Sequence, residues 1–214
     1  RYRMQSKVIL TVTSGLILVP TVYFFFFELA HLPFAERFWG ALFQAVTPRT
    51  AGFNTADLTL LSEVGQMLII MLMLIGGSPG GMKVTTFAVM ISVAAAVFQK
   101  RQNGCFFGRR IDDDTVKNAA TVFFMYISLF LLGGIAISKL ENLPLVTCLY
   151  ESASAVGTVG LTLGITPELG AISKLILIAQ MYIGRVGGLT LIFAILPATK
   201  NTLSKLPVEK ISVG

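Results

Sequence analysis

The chain has 214 residues, of which 54% are hydrophobic and 13% charged, with a formal net charge of +6 and a mean hydropathy of +0.77. Soluble domains carry about 25% charged residues, so this composition excludes a water-soluble globule and implies an all-α integral membrane protein, multi-pass in the cell membrane. The basic residues flank apolar spans and form no stripe with aromatics, which argues against nucleic acid and leaves anionic lipid of the membrane as their partner.

Eleven of the 17 Lys and Arg fall in three clusters. These are Arg1, Arg3 and Lys7; Lys100, Arg101, Arg109, Arg110 and Lys117; and Lys200, Lys205 and Lys210. The positive-inside bias places all three on the cytoplasmic side. Residues 8–29 then form a first span of about the 20 residues that a bilayer core requires. Pro20 is tolerated there, as in many membrane helices. Glu28, His31, Glu36 and Arg37 mark the opposite, external side. His31 is the sole histidine, and it has no neighbour with which to hold a metal. The chain opens on Arg-Tyr-Arg with no cleavable signal pattern, from which we expect earlier residues to lie outside this sequence.

Residues 34–46 are apolar but too short to span. They read as a re-entrant half-helix whose negative C-terminal end favours a cation, or as an interfacial helix held by Trp39, the only tryptophan. Residues 58–98 are apolar throughout and, as one helix, would reach about 60 Å, twice the hydrocarbon core. Gly76, Gly77, Ser78, Pro79, Gly80 and Gly81 break this stretch, since such a run cannot be stable helix interior. The prediction is a half-helix, an intramembrane loop, and a second helix over 85–98.

Residues 99–117 form a polar cytoplasmic connection. Its run Asp112, Asp113, Asp114 suits a helix start, where aspartate caps and complements the dipole, better than a metal site. A second series follows: a span over 116–138, a short segment over 143–156, and a return span over 169–196. Cys105 and Cys148 fall on opposite sides of this plan, so no disulfide is predicted.

Each short segment leads into a polar, glycine-centred loop. The first contains Thr50, Ala51, Gly52, Phe53 and Asn54; the second contains Thr158, Val159, Gly160, Leu161 and Thr162. Thr50 to Phe53 overlays Thr158 to Leu161 at an offset of 108 residues, and the same offset lays Ile75-Gly76 on Ile183-Gly184, Gly80 on Gly188 and Gly77 on Arg185. Upstream of the loops the match needs a one-residue gap. The chain thus reads as two tandem units of span, re-entrant helix, loop and span, over residues 1–106 and 107–214. Irregular backbone at membrane depth is tolerated only inside protein or along a watery path. Rings of backbone carbonyls are how potassium-channel filters replace a cation's hydration shell, and Thr158-Val159-Gly160 repeats part of that filter pattern. Arg185 lies mid-span, where an uncompensated arginine costs at least about 2.5 kcal/mol. It therefore faces an aqueous path or holds backbone carbonyls.

The strings Thr-Pro-Arg-Thr-Ala-Gly-Phe-Asn (47–54), Gly-Gly-Ser-Pro-Gly-Gly (76–81), Gly-Thr-Val-Gly-Leu-Thr (157–162) and Tyr-Ile-Gly-Arg-Val-Gly-Gly (182–188) resemble the bacterial Trk/Ktr/HKT superfamily, in particular its KtrB-like membrane subunits. The resemblance covers essentially the whole chain. It implies potassium-channel-like tandem M1–P–M2 repeats and K⁺ uptake, often Na⁺-dependent, with symport behaviour among the expectations. It further implies a cytoplasmic nucleotide-binding regulatory subunit of the RCK type and a homodimer of complete pores. No organic cofactor is implied. Carried over by position, the five residues of each loop would form the K⁺ filter, residues 76–81 the intramembrane gate, and Arg185 the pore arginine opposing it. Members of the family carry four such units, and this sequence has two, resembling the third and fourth. The remaining repeats then come from residues before Arg1 or from a second copy. A rival reading is the channel-like potassium-translocating subunit of a transport ATPase. Another, an intramembrane enzyme using Glu151 or Cys148, lacks a nucleophile–base pair, and no catalysis is expected.

Overall fold

The structure is a computed structural model that describes residues 3–76, 82–101 and 103–187. Helix α1, Met4–Tyr23, contains Pro20, which lacks an N–H and so cannot bond to the preceding turn. The amide of Phe24 is shared between the carbonyls of Pro20 and Thr21, and the chain continues as a π-helical turn, Phe24–Glu28. That turn ends on the amide of Leu29, which reaches the Phe24 carbonyl at 2.9 Å. Together they run 25 residues from Met4 to Glu28, enough to cross a hydrocarbon core of about 30 Å.

The chain then reverses into α2, Phe34–Val46, which is the short segment read from the sequence. Its buried residues are Ala41, Gln44 and Ala45, while Trp39 faces outward. Helix α3, Glu63–Leu74, is N-capped by the Ser62 hydroxyl, which accepts from the Gly65 amide. After a break comes α4, Val84–Phe98. Residues 77–81 of the glycine-rich run lie outside the described residues, as do 188–214, which include Gly188, Lys200, Lys205 and Lys210.

The polar connection between α4 and the next helix holds a detail that the all-helical expectation lacked. Strands β1, Cys105–Phe106, and β2, Arg109–Arg110, pair antiparallel with Phe106 opposite Arg109. Their two-residue turn, Phe107-Gly108, has positive φ at both positions, the geometry of the hairpin turn that matches strand twist. Helix α5, Asp113–Glu141, then starts within the aspartate run. The expected capping by that run is corrected in one respect: Asp112 occupies the cap position without a side-chain hydrogen bond. Asp113 instead pairs with Arg110 at 2.9 Å and Asp114 with Lys117 at 3.5 Å, so the charges serve the dipole and these exposed pairs.

Helices α6, Leu145–Gly157, and α7, Ala171–Val186, complete the described chain. The 108-residue offset survives in the return limbs, because α3 and α7 begin at Glu63 and Ala171, and the 3₁₀ turns before them at Leu58 and Thr166. Upstream, the single-residue gap is an underestimate. Both short helices have a proline at the N-cap, Pro33 and Pro144. From there the chain takes 17 residues to Thr50 but only 14 to Thr158. The extra three lie where α2 ends in a turn, whereas α6 runs straight into its loop.

Close helix contact in the second series depends on small and polar residues, as expected where lipid offers no hydrophobic drive for helices to associate. A Cβ on Gly133 would lie 1.8 Å from the Gln180 amide nitrogen, and one on Gly134 would lie 2.6 Å from Leu149. Gln180 donates to the Leu129 carbonyl at 2.8 Å and to the Ser152 hydroxyl at 2.9 Å; Ser152 in turn donates to the Phe130 carbonyl at 2.8 Å. This node ties α5, α6 and α7 together. The largest of three apolar clusters among the described residues joins both series, containing Phe24 of the first span, Ile69, Ile70 and Met73 of α3, Phe130 of α5, Leu149 and Tyr150 of α6, and Val159 and Leu161. Cys105 is an exposed free thiol and Cys148 a buried one.

Candidate functional site

The two polar loops follow α2 and α6, and each is shaped by the way its helix stops. At the end of α6 the Val159 amide bonds back to the Ser154 carbonyl at 2.9 Å and the Thr158 amide to the Ala155 carbonyl at 3.1 Å. This is the paired bonding of a helix stop with one left-handed residue, a place usually taken by glycine. Here Thr158 holds it, with φ 52 and ψ 42. A β-branched residue at positive φ is an outlier that its surroundings must maintain. The first loop repeats the feature at Thr50, φ 71. Its turn is closed by the amides of Ala51 and Gly52, both bonded to the Thr47 carbonyl at 3.1 and 3.2 Å.

Two residues after each α2 or α6 threonine comes a glycine of positive φ, Gly52 at 72 and Gly160 at 94, while Ala51 and Val159 between them do not share that sign. The backbone therefore alternates in hand through Thr50-Ala51-Gly52 and again through Thr158-Val159-Gly160. Two β-branched residues in one strained conformation, at matching places, make these loops the candidate site, since such strain clusters at functional sites.

The tertiary structure brings the two loops together. A Cβ built on Gly52 would lie 2.2 Å from the Val159 carbonyl oxygen, and one on Gly160 would lie 4.0 Å from the Gly52 Cα. The pair meets backbone to backbone, and at Gly52 only a residue without a side chain permits that approach. The end of α6 is held by the same device on two sides. A Cβ on Gly157 would stand 2.6 Å from the Met73 carbonyl of α3, and one on Gly184 would stand 2.2 Å from the Val156 carbonyl. The C-terminal end of α6, where the helix dipole is negative, is thus wedged between α3 and α7 and aimed into the loop.

The loops differ in their anchoring. In the first, the Thr47 hydroxyl donates to the Phe53 carbonyl at 2.5 Å, and Phe53 and Asn54 are exposed. In the second, Val159 and Leu161 are buried, Gly160 and Thr162 exposed, and the Gly160 amide donates to the Ser154 hydroxyl at 3.2 Å. Beside the second loop lies an open cavity of about 590 Å³, lined by Thr158 to Thr162, Glu151, Lys174 and the outward side of α7 at Leu177, Ile178 and Met181.

Of the residues singled out for the glycine-rich run, Gly76 is buried at the end of α3. Gly77, Ser78, Pro79, Gly80 and Gly81 lie outside the described residues. Arg185 sits in the last turn of α7 with its side chain exposed, directly after the glycine that touches the base of the second loop. Sequence reasoning missed Thr47, Ser154, Gly157 and Gly184 as builders of the site, and treated Glu151 only as a candidate catalyst. Both Glu151 oxygens accept hydrogen bonds from the chain after the second loop. The signal available in the sequence was the smallness of Gly157 and Gly184 at otherwise apolar helix positions.

The profile of the TrkH family, described as a cation transport protein, matches residues 3–204. The chain is similar to the potassium/sodium uptake protein NtpJ of Enterococcus hirae, with 37% identity over 99% of this chain and 50% of that protein. It is also similar to the Ktr system potassium uptake protein B of Bacillus subtilis, with 35% identity over 90% of this chain and 46% of that protein. The chain spans about half the length of the curated relatives it matches. Among solved structures, the potassium transporter TrkH from Vibrio parahaemolyticus shares the fold, with a TM-score of 0.72 at 22% identity over 89% of this chain and 44% of that one.

Proposed function

Since the chain belongs to the TrkH family of cation transport proteins, an integral-membrane family, we propose that it supplies two of the four loops of a cation-selective pore for K⁺ uptake. The observation that carries this reading is the meeting of Gly52 with Val159 and Gly160, each glycine preceded two residues earlier by a left-handed threonine. Two strained, glycine-centred backbones facing one another at the ends of short helices are suited to present carbonyl oxygens to a dehydrated cation. In this reading Thr50 to Asn54 and Thr158 to Thr162 form the filter, and the units 1–106 and 107–214 are M1–P–M2 repeats. The remaining two units are supplied by the rest of the complete transporter. The exposed Phe53 and the open cavity beside Gly160 are the surfaces against which those units pack.

The relatives named for potassium and for potassium/sodium uptake support K⁺ as the translocated ion and Na⁺ as a second ion acting on the same path. The segment 76–81 with Arg185 acts as a gate below the filter; its support is the sequence, together with the place of Arg185 next to Gly184. A cytoplasmic nucleotide-binding subunit of the RCK type regulates that gate, and the complete transporter works as a homodimer; the relatives named as parts of Ktr systems support a system of several components. The test is uptake of K⁺ in competition with Na⁺ by the complete transporter carrying Gly52→Ser or Gly160→Ser. The reading requires weaker discrimination between the two ions; unchanged discrimination in both variants removes the loops from selectivity.

A further inference from the structure

Glu151 is a carboxyl group in the interior of α6, 4% exposed, and the only buried Asp, Glu, Lys or Arg among the described residues. Its partners are unusual for a buried acid, because no basic side chain among the described residues forms an ion pair with it. Its hydrogen bonds come from the last residue of the second loop and the chain just beyond it. One oxygen accepts from the Thr162 hydroxyl at 2.6 Å and the Leu163 amide at 3.0 Å, and the other accepts from the Thr166 hydroxyl at 2.7 Å. The two hydroxyls lie 3.0 Å apart, and Thr162 accepts from the Gly164 amide at 2.9 Å. A buried charge is stable only when its acceptor capacity is filled, and here the outgoing limb of the loop fills it.

We propose that Glu151 is the positioning residue of the second loop, the strut that sets its outer limb and thereby the spacing of its carbonyls. This rests on the pore reading above. The loop is fixed at its inner end by the helix stop at Thr158 and in its middle by the Gly160 amide on the Ser154 hydroxyl and by buried Val159 and Leu161, which leaves the polar outer limb from Thr162 onward to be held from its far end. The Glu151 carboxylate reaches past the glycine to hold that end. The first loop lacks such a strut: Phe43 stands at the position matching Glu151 under the 108-residue offset, and Gly40 at the position set by the helix starts. Its closure comes from Thr47 within its own turn, whose carbonyl accepts from the Ala51 and Gly52 amides and whose hydroxyl donates to the Phe53 carbonyl. The two loops of one pore are therefore stiffened by different chemistry, and the outer limb of the second is held by a single carboxyl group.

Three substitutions in the complete transporter test this, read as the ratio of K⁺ to Na⁺ uptake at matched membrane levels. Glu151→Leu removes the acceptor and leaves two hydroxyls and an amide unpaired; it should lower the ratio by about tenfold, the scale of one charge-assisted hydrogen bond. Glu151→Gln keeps one carbonyl acceptor and should recover part of the ratio. The paired substitution Thr162→Val with Thr166→Val removes donors from the loop side while leaving α6 intact, and should lower the ratio even if Glu151→Leu fails to reach the membrane. A parental ratio in the paired-threonine variant overturns the proposal. If Gly160→Ser lowers the ratio in the same assay while the paired-threonine variant does not, only the strut is wrong. If neither moves it, the pore reading fails with it.

Discussion

A Cβ on Gly52 would lie 2.2 Å from the carbonyl oxygen of Val159, whereas one on Gly160 would meet nothing nearer than the Gly52 Cα at 4.0 Å. The two glycines share a left-handed backbone but not the same crowding. Gly52 is needed twice, for its φ and for the space it leaves. Gly160 is needed for its φ alone.

The alanine variants should separate these needs. Gly160→Ala carries the strain of a side chain at positive φ, about 1–2 kcal/mol, and should still assemble while discriminating K⁺ from Na⁺ less well. Gly52→Ala adds a backbone clash with the facing loop, a cost of overpacking of about 1–3 kcal/mol more. Thermal unfolding of the purified complete transporter, followed by size-exclusion chromatography, should show Gly52→Ala melting at the lower temperature. Equal melting temperatures would mean that the loops part easily.

Gly184 presents the sharpest packing test, because its missing side chain lets α7 touch the Val156 carbonyl at the end of α6. Gly184→Leu should push α7 off the helix that leads into the second loop, at a cost of several times that of Gly15→Leu. Among the described residues, nothing beyond its own stretch of helix stands within 4 Å of a Cβ at Gly15, and substituting glycine inside an exposed helix is mild or favourable. Expression and thermal stability of the two variants check this; equal losses would contradict the close approach.

Arg185 stands one residue beyond that contact, exposed on the last turn of α7. If it serves the gate, Arg185→Gln should raise maximal K⁺ flux and weaken dependence on the cytoplasmic partner without altering K⁺ over Na⁺ preference. The guanidinium offers five donors and a permanent charge, both of which the amide loses. Flux at the parental rate with intact regulation would assign Arg185 to anchoring only.

Orientation can be read with a residue already present. Cys105 is exposed in the basic hairpin and Cys148 is buried in α6. A membrane-impermeant thiol reagent should modify the Cys105 peptide in inside-out vesicles and not in intact cells, because its Arg109 and Arg110 neighbours favour the cytoplasmic side. Single-cysteine probes at Glu36 and Glu141 should behave oppositely. Modification of Cys105 from outside would invert the topology.

Hydropathy and helix-breaking residues determined most of the fold from the sequence alone. The short α2 was read with its observed ends, because a proline enters it and a polar turn leaves it. The break after Leu74 was legible for the same kind of reason, since local composition forbids helix there. The two loops were visible as repeated polar strings, and the aspartate run as a helix start. What the tertiary structure decided were matters that local pattern does not carry. The three extra residues before Thr50 escaped notice because strings align well across a turn whose length only the backbone reveals. The meeting of Gly52 with Val159, and of Gly184 with Val156, depends on how near two distant backbones come, and a glycine in a sequence looks the same whether it faces open space or a carbonyl. Glu151 had no role in the sequence reading beyond a rejected catalytic one, because its partners, Thr162, Leu163 and Thr166, reach it only after the chain has passed through the loop and turned back. A buried carboxylate takes its role from the donors that surround it, and folding alone brings those donors to it.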